Sequence, residues 1–184
     1  MLNRGLPGNN VSDGILMLSL LRSTQIQSYA EDGSFERGMT SDSGLELGKA
    51  LTFQYSLLPH SGDWKDAAVY RAGLEFNNPL IAHKLVAHKG SLPPSWGLLE
   101  ISPANVVLSA MKPAKDGDMV VRIYEAAGKL VSKGRFHVQA RIKTAWEANL
   151  MEDAGKELRV RNGMFEFDLH PFEIKTFKLR LAAR

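Results

Sequence analysis

Apolar and polar residues alternate with a period of two along much of this chain, the spacing expected of strands with one covered face. Leu51, Phe53, Tyr55 and Leu57 alternate with Thr52, Gln54 and Ser56, which predicts a half-buried strand. Residues 15–21, ILMLSLL, form a nearly unbroken apolar run between Asp13-Gly14 and Arg22, and predict a strand buried on both faces. The polar stretch 24–48 between them predicts a long loop, an unusual feature in a compact domain.

The segment SLLPHSGDW (56–64) predicts a strand-to-helix junction. Pro59 has no amide to give a sheet and should end the strand. Ser61 or Asp63 should cap a helix near 64–76, Asp63 also suiting the positive end of the helix dipole. Ala67, Tyr70 and Leu74 fall on one face of that helix, which should stop by Asn77-Asn78-Pro79. His60 is then a junction residue bonded to nearby backbone.

GSLPPSWG (90–97) breaks all periodicity and reads as a linker. Beyond it the strands are short and regular. Val106, Leu108 and Ala110 share one face. KPAKDGD (112–118) should reverse the chain into MVVRIYE, where Val121 and Ile123 alternate with Arg122 and Tyr124. Phe136, Val138, Ala140 and Ile142 predict one face of a strand, with Trp146, Ala148 and Leu150 continuing the alternation. Asn162-Gly163 suits the positive φ angles of a tight turn and precedes the Phe165, Phe167, Leu169 face. In the last strand Phe177, Leu179 and Leu181 share a face, and the slip after Ile174 predicts a bulge.

About six short strands in roughly 90 residues match the size of an immunoglobulin-like sandwich. The first half has too few strands to bury both of its faces alone. The fold expected is therefore all-β and antiparallel. Residues 1–92 should close a larger sandwich and carry the one short helix, and 93–184 should form a small terminal sandwich.

Composition narrows the function. The chain has 184 residues, 44% of them hydrophobic and 23% charged, with net charge +3. The basic residues alternate with acids, so nucleic acid is not an expected partner. The nearest approach to a basic face is Arg135, Arg141 and Lys143, read as one solvated strand face. No cysteine is present, which excludes disulfides and thiolate metal sites and fits a cytoplasmic location. The run at 15–21 is too short to cross a bilayer, so no membrane partner is expected.

Recognisable chemistry is sparse. Phosphate-binding glycine loops and the nucleophile elbow are absent from the sequence. His60, His83, His88, His137 and His170 fall at no spacing that places two ligands on one metal. Glu31-Asp32, Asp42, Glu152-Asp153 and Glu166/Asp168 are candidate carboxylate pairs for glycoside chemistry, yet all lie in loops or on polar faces. No catalytic residue is assigned.

Several segments, in order, resemble the carboxyl-terminal region of glycoside hydrolase family 38, the α-mannosidases. They are LNRGLPG (2–8), ILMLSLLRS (15–23), FQYSLLPHSGDW (53–64), FNNPL (76–80), ISPANVVLSAMKPAKDGDMVVRIYEAAG (101–128), ANLMED (148–153) and LHPFEIKTFKL (169–179). The resemblance implies a zinc-dependent retaining enzyme whose zinc and acids lie in an amino-terminal catalytic domain. This chain would then be its non-catalytic terminal β region, with that domain and mannose-containing carbohydrate as partners. The NRG loop resembles one that leans towards the family's cleft, which makes Arg4 the substrate-binding candidate; the other reading is an arginine pinning the turn before Gly5. Two rival roles are a stand-alone carbohydrate-binding module using exposed tryptophans among Trp64, Trp96 and Trp146, and an assembly module that forms a homo-oligomer.

Overall fold

The computed structural model describes residues 1–21, 26–29, 32, 35–41, 50–87 and 89–182. These form two compact units. One comprises Met1–Ser61 and Arg71–Ile81, the other Gly62–Tyr70 and Ala82–Arg184.

The second unit is an antiparallel β-sandwich. Its strands are β7 (Leu99–Ser102), β8 (Val106–Pro113), β9 (Met119–Glu125), β10 (Val131–Val138), β11 (Ile142–Ala148), β12 (Ala154–Leu158), β13 (Met164–Leu169) and β14 (Ile174–Leu181). Three of them form one sheet in the order β13-β10-β7, and five form the other in the order β12-β11-β14-β9-β8. Alternate residues from both sheets meet in one core. Phe136 stacks on its cross-strand partner Phe165, with ring centroids 4.9 Å apart. Phe177 of the facing sheet meets Phe165 edge-on, also at 4.9 Å. This aromatic triad joins the two layers.

Turn chemistry sets the connections. Asn162 and Gly163 take φ of 50° and 74°, and the Arg161 and Met164 backbones exchange hydrogen bonds across them. The Ala114–Asp118 turn uses Gly117 at φ 85° and returns the chain from β8 to β9.

Three strand expectations in this unit need correction: one strand face is split by a corner that keeps the period of two, and two others are shifted by one residue at a bulge. The expected Phe136–Ile142 strand face is split, because the chain leaves one sheet after Val138 and enters the other at Ile142. Arg135 and Lys143 therefore stand in different sheets, and the proposed basic face does not form. A register shift between Ile142 and Thr144 turns Ala145 inward, leaving Trp146 half-buried on the other face and Leu150 exposed. A further shift between Leu108 and Ala110 exposes Leu108 and packs Met111 on the core. The bulge expected after Ile174 is absent. β14 pairs with β9 without interruption, and Ile174 simply faces outward.

The first unit contains three two-stranded ladders. β1 (Leu2–Asn3) pairs with β6 (Tyr55–Ser56), β2 (Asn9–Ser12) with β3 (Ile15–Leu18), and β4 (Ile26–Tyr29) with β5 (Phe35–Ser41). The β4–β5 hairpin replaces much of the loop expected at 24–48. Its apolar residues are too sparse to betray a strand, although Asp32-Gly33 is a turn dipeptide. Ile15, Leu16 and Met17 are exposed rather than buried on both faces: among the described residues β3 pairs only with β2, and no second layer covers the hairpin. The expected strand at 51–57 shortens to Tyr55–Ser56, and Leu51, Tyr55 and Leu57 are exposed.

The helix α1 runs from Val69 to Asn77, starting later than expected. Asp63 does cap, but it caps the turn ahead of the helix: its Oδ1 accepts from the Lys65 and Asp66 amides at 2.8 and 2.9 Å. Ala68, at φ 47°, then interrupts the chain before helical geometry begins. The Asn77 and Asn78 side chains donate to the Gly73 and Leu74 carbonyls and close the helix at the expected place.

Candidate functional site

Arg4 stands in the first unit, just after β1, and is exposed. Gly5 follows at φ 71°, a conformation that glycine adopts without a Cβ penalty. The Arg4 amide donates to the Gln54 carbonyl at 3.1 Å. Its guanidinium donates to Gln54 Oε1 and to the Phe76 carbonyl, and lies 5.1 Å from the centre of the Phe76 ring. Arg4 thus ties the β1–β6 ladder to the last turn of α1. A guanidinium carries five N–H donors, so this clamp leaves others for a ligand.

The second unit holds a polar hub that sequence reading missed. Glu125 ends β9 and is 1% exposed, yet its carboxylate is fully satisfied. Oε1 accepts from the Ala127 amide and from Asn105 Nδ2, both at 2.7 Å. Oε2 accepts from the Gly128 amide at 2.6 Å and the Phe172 amide at 3.0 Å. Burial alone would push this carboxyl upward, but the four donors outweigh it and hold the group at about 2. Glu125 therefore fastens three loops at one end of the sandwich. The local signal was YEAAG, an acid two and three residues before free turn amides. The partners Asn105 and Phe172 are 20 and 47 residues away and invisible to local pattern.

A second cluster lies on the five-stranded sheet. Arg180 grips Asp118 through two hydrogen bonds of 3.0 and 2.9 Å, while its guanidinium lies 5.1 Å from the Trp146 ring centre. Lys178 pairs with Asp116 at 2.5 Å, which lowers the Asp116 carboxyl and raises the Lys178 ammonium. These fork and point-charge contacts bind strands to turns.

The remaining expected residues do not converge. His60 is exposed, with Nδ1 3.4 Å from the Ser61 carbonyl oxygen. His83 and His170 are also exposed, and His137 faces outward from β10. Glu152 is salt-bridged to Lys112 at 2.7 Å, Asp153 accepts from Asn149, and Asp168 accepts from the Lys133 amide. Each of these acids has structural work. Glu31, Asp42 and His88 lie outside the described residues. Among the described residues no group of three or more His, Asp or Glu side chains could hold a metal ion, so these residues do not fit the zinc that the resemblance implies. No described helix is long and apolar enough to cross a membrane.

Residues 105–177, from the start of β8 into β14, match the model of the glycosyl hydrolases family 38 C-terminal beta sandwich domain. The sandwich is a family 38 C-terminal beta sandwich domain over these residues. The likeness to family members extends past the matched domain. The chain is 31% identical over 98% of its length to human Alpha-mannosidase 2C1, and 28% identical over the same share to the mouse protein of that name. Alpha-mannosidase G of Dictyostelium discoideum is 25% identical over 97% of the chain. The chain spans only 15–16% of the length of these relatives. The Glu125 hub and the aromatic core lie within the matched residues, while Arg4 stands outside them.

Proposed function

We propose that this chain serves as the closing, non-catalytic β region of an α-mannosidase-like glycoside hydrolase. In this reading residues 93–184 are the terminal small sandwich and 1–92 complete a larger one that the catalytic portion helps to build. The observation that carries it is the apolar surface of the first unit. Val11, Ile15, Leu16, Leu21, Leu51, Tyr55 and Leu57 are all more than half exposed, and among the residues of that unit whose burial is described Leu6 is the one buried apolar side chain. Apolar side chains of this type stabilise a protein only when another surface covers them. The small share of each relative that the chain spans also favours a supporting role. Arg4, clamped by Gln54 and Phe76, would present its remaining donors to mannose-containing substrate at the edge of the cleft.

The test is a chimera of human Alpha-mannosidase 2C1 in which this chain replaces the matching segment. The chimera should hydrolyse an aryl α-mannoside, and the relative lacking the segment should not. The isolated chain supplied with zinc should show no turnover; robust turnover by it alone would overturn the proposal. Within the chimera, Arg4→Lys keeps the charge but loses the fork. A raised KM with unchanged thermal stability marks Arg4 as substrate-facing, whereas lowered stability with unchanged KM marks it as a pin. A second copy of the chain is the alternative cover for the exposed strands, and sedimentation of the isolated chain as a dimer would favour that assembly role.

A further inference from the structure

Charges on the central strands of the five-stranded sheet are paired, whereas a block of them on the three-stranded sheet is not. On the five-stranded sheet, Arg122 donates to Thr176 and the Leu150 carbonyl, and Lys178 and Arg180 are paired with Asp116 and Asp118. The three-stranded sheet projects Glu100 and Ser102 from β7, Arg135 and His137 from β10, and Met164 and Glu166 from β13. The ladders place Glu100, His137 and Met164 in one row and Ser102, Arg135 and Glu166 in the next. Among the described residues, none of these charged side chains has a hydrogen-bonding or ionic partner, although Arg135 stands directly across from Glu166.

This face is concave. A groove of about 890 Å³ runs over it, rimmed by Arg161 and Asn162 at one side. A smaller hollow beside it shares Arg161 and adds Arg159 and Glu166. The floor is fixed from behind by Phe136, Val138 and Phe165, each at most 3% exposed. The rim is also held: the Arg161–Met164 turn is closed by its own backbone pair, and Gly163 accepts from the Val138 amide at 3.0 Å. A rigid groove whose lining joins unspent polar groups to the apolar Leu99, Ile101 and Met164 loses little entropy on binding.

We propose that this groove binds a neutral carbohydrate. Across the groove and the hollow beside it, Arg135, Arg159, Arg161 and Asn162 offer donors, Glu100 and Glu166 offer acceptors, and Ser102 and His137 can do either. A sugar hydroxyl donates and accepts at once, so adjacent hydroxyls satisfy both kinds. An anion would satisfy the arginines but meet Glu100 in the groove and Glu166 in the hollow, and a cation would meet the reverse conflict. The exposed tryptophans of the module reading, Trp64 and Trp96, do not line the groove, so the recognition rests on hydrogen bonds rather than ring stacking. The inference concerns binding by this chain alone and stands apart from any role in hydrolysis.

Titration of the full chain with mannotriose, followed by amide NMR, tests it. Saturable shifts should be confined to residues 99–102, 135–137 and 159–166. Arg135→Ala combined with Arg161→Ala should weaken binding at least about tenfold, the loss expected from removing forked charged donors. Arg135→Lys, which keeps the charge, should also weaken it and guards against a folding defect in the double variant. Absent shifts at millimolar sugar, shifts elsewhere on the surface, or preferential binding of citrate would each overturn the assignment.

Discussion

The sandwich of 99–181 and the ladders of the first unit are built from the same kinds of residue, yet only one of them makes a core. Val121, Ile123, Phe136, Phe165, Phe177 and Leu179 are at most 1% exposed because two sheets face each other. Ile15 and Leu16 have comparable side chains and β-pairing but are 61% and 52% exposed, since among the described residues their ladder has two strands and no facing layer. The contrast teaches that strand pairing satisfies the backbone while burial requires a second surface. It also predicts where stability resides.

The largest test of that contrast is Phe177→Ala. Phe177 contacts the rings of both Phe165 and Phe167, so its removal empties the centre of the interlayer packing. The loss should be about 3–5 kcal/mol, the usual range for a buried phenylalanine. Urea unfolding followed by circular dichroism measures it. A loss below about 1 kcal/mol would mean that the layers are held by something other than this triad.

Glu125 sharpens the comparison by asking whether the sandwich depends on a polar hub as well as an apolar centre. Its folded carboxyl titrates near 2, against 4.5 for a free one. A depressed carboxyl contributes in full above pH 4.5, and that contribution is lost as the pH falls through 2. The difference corresponds to about 3 kcal/mol. Glu125→Gln should therefore unfold more easily at pH 7 and show a shallower fall in stability between pH 4.5 and 2. Parallel curves for the two proteins across that window would show that the hub has no such role.

These two residues also mark what was legible in the sequence. Phe165, Phe167, Phe177 and Leu179 announce themselves by alternation within single strands, as do the Asn162-Gly163 and KPAKDGD turns. The corner between Val138 and Ile142 did not, because an apolar period of two can continue across a change of sheet. The bulge at Leu108–Ala110 was hidden for a related reason: it preserves composition and changes only phase. Glu125 looked like any strand-end acid, since two of its four donors come from distant loops. The outer groove was equally silent, because Glu100, Arg135 and Arg161 are brought together by sheet order, which the local pattern does not encode. Arg4 was singled out only by the resemblance of its NRG loop to family 38, and its anchors Gln54 and Phe76 required the fold.

The smallest expected effect lies on the other side of the comparison. Ile15→Thr and Leu16→Thr keep or raise β-branching in the strand and remove apolar surface that is already in water. Exposed substitutions of this kind usually change stability by no more than about 0.5 kcal/mol. In the isolated chain the urea midpoint should therefore hold for both variants. In the chimera the same side chains would lie against the catalytic portion, where losing an apolar group should cost roughly 1–3 kcal/mol and lower both thermal stability and mannoside hydrolysis. The informative quantity is the difference between the two settings. An equal, negligible effect in both would show that this hairpin faces water in the assembled enzyme, and that the exposed strands are not the surface by which the first unit joins it.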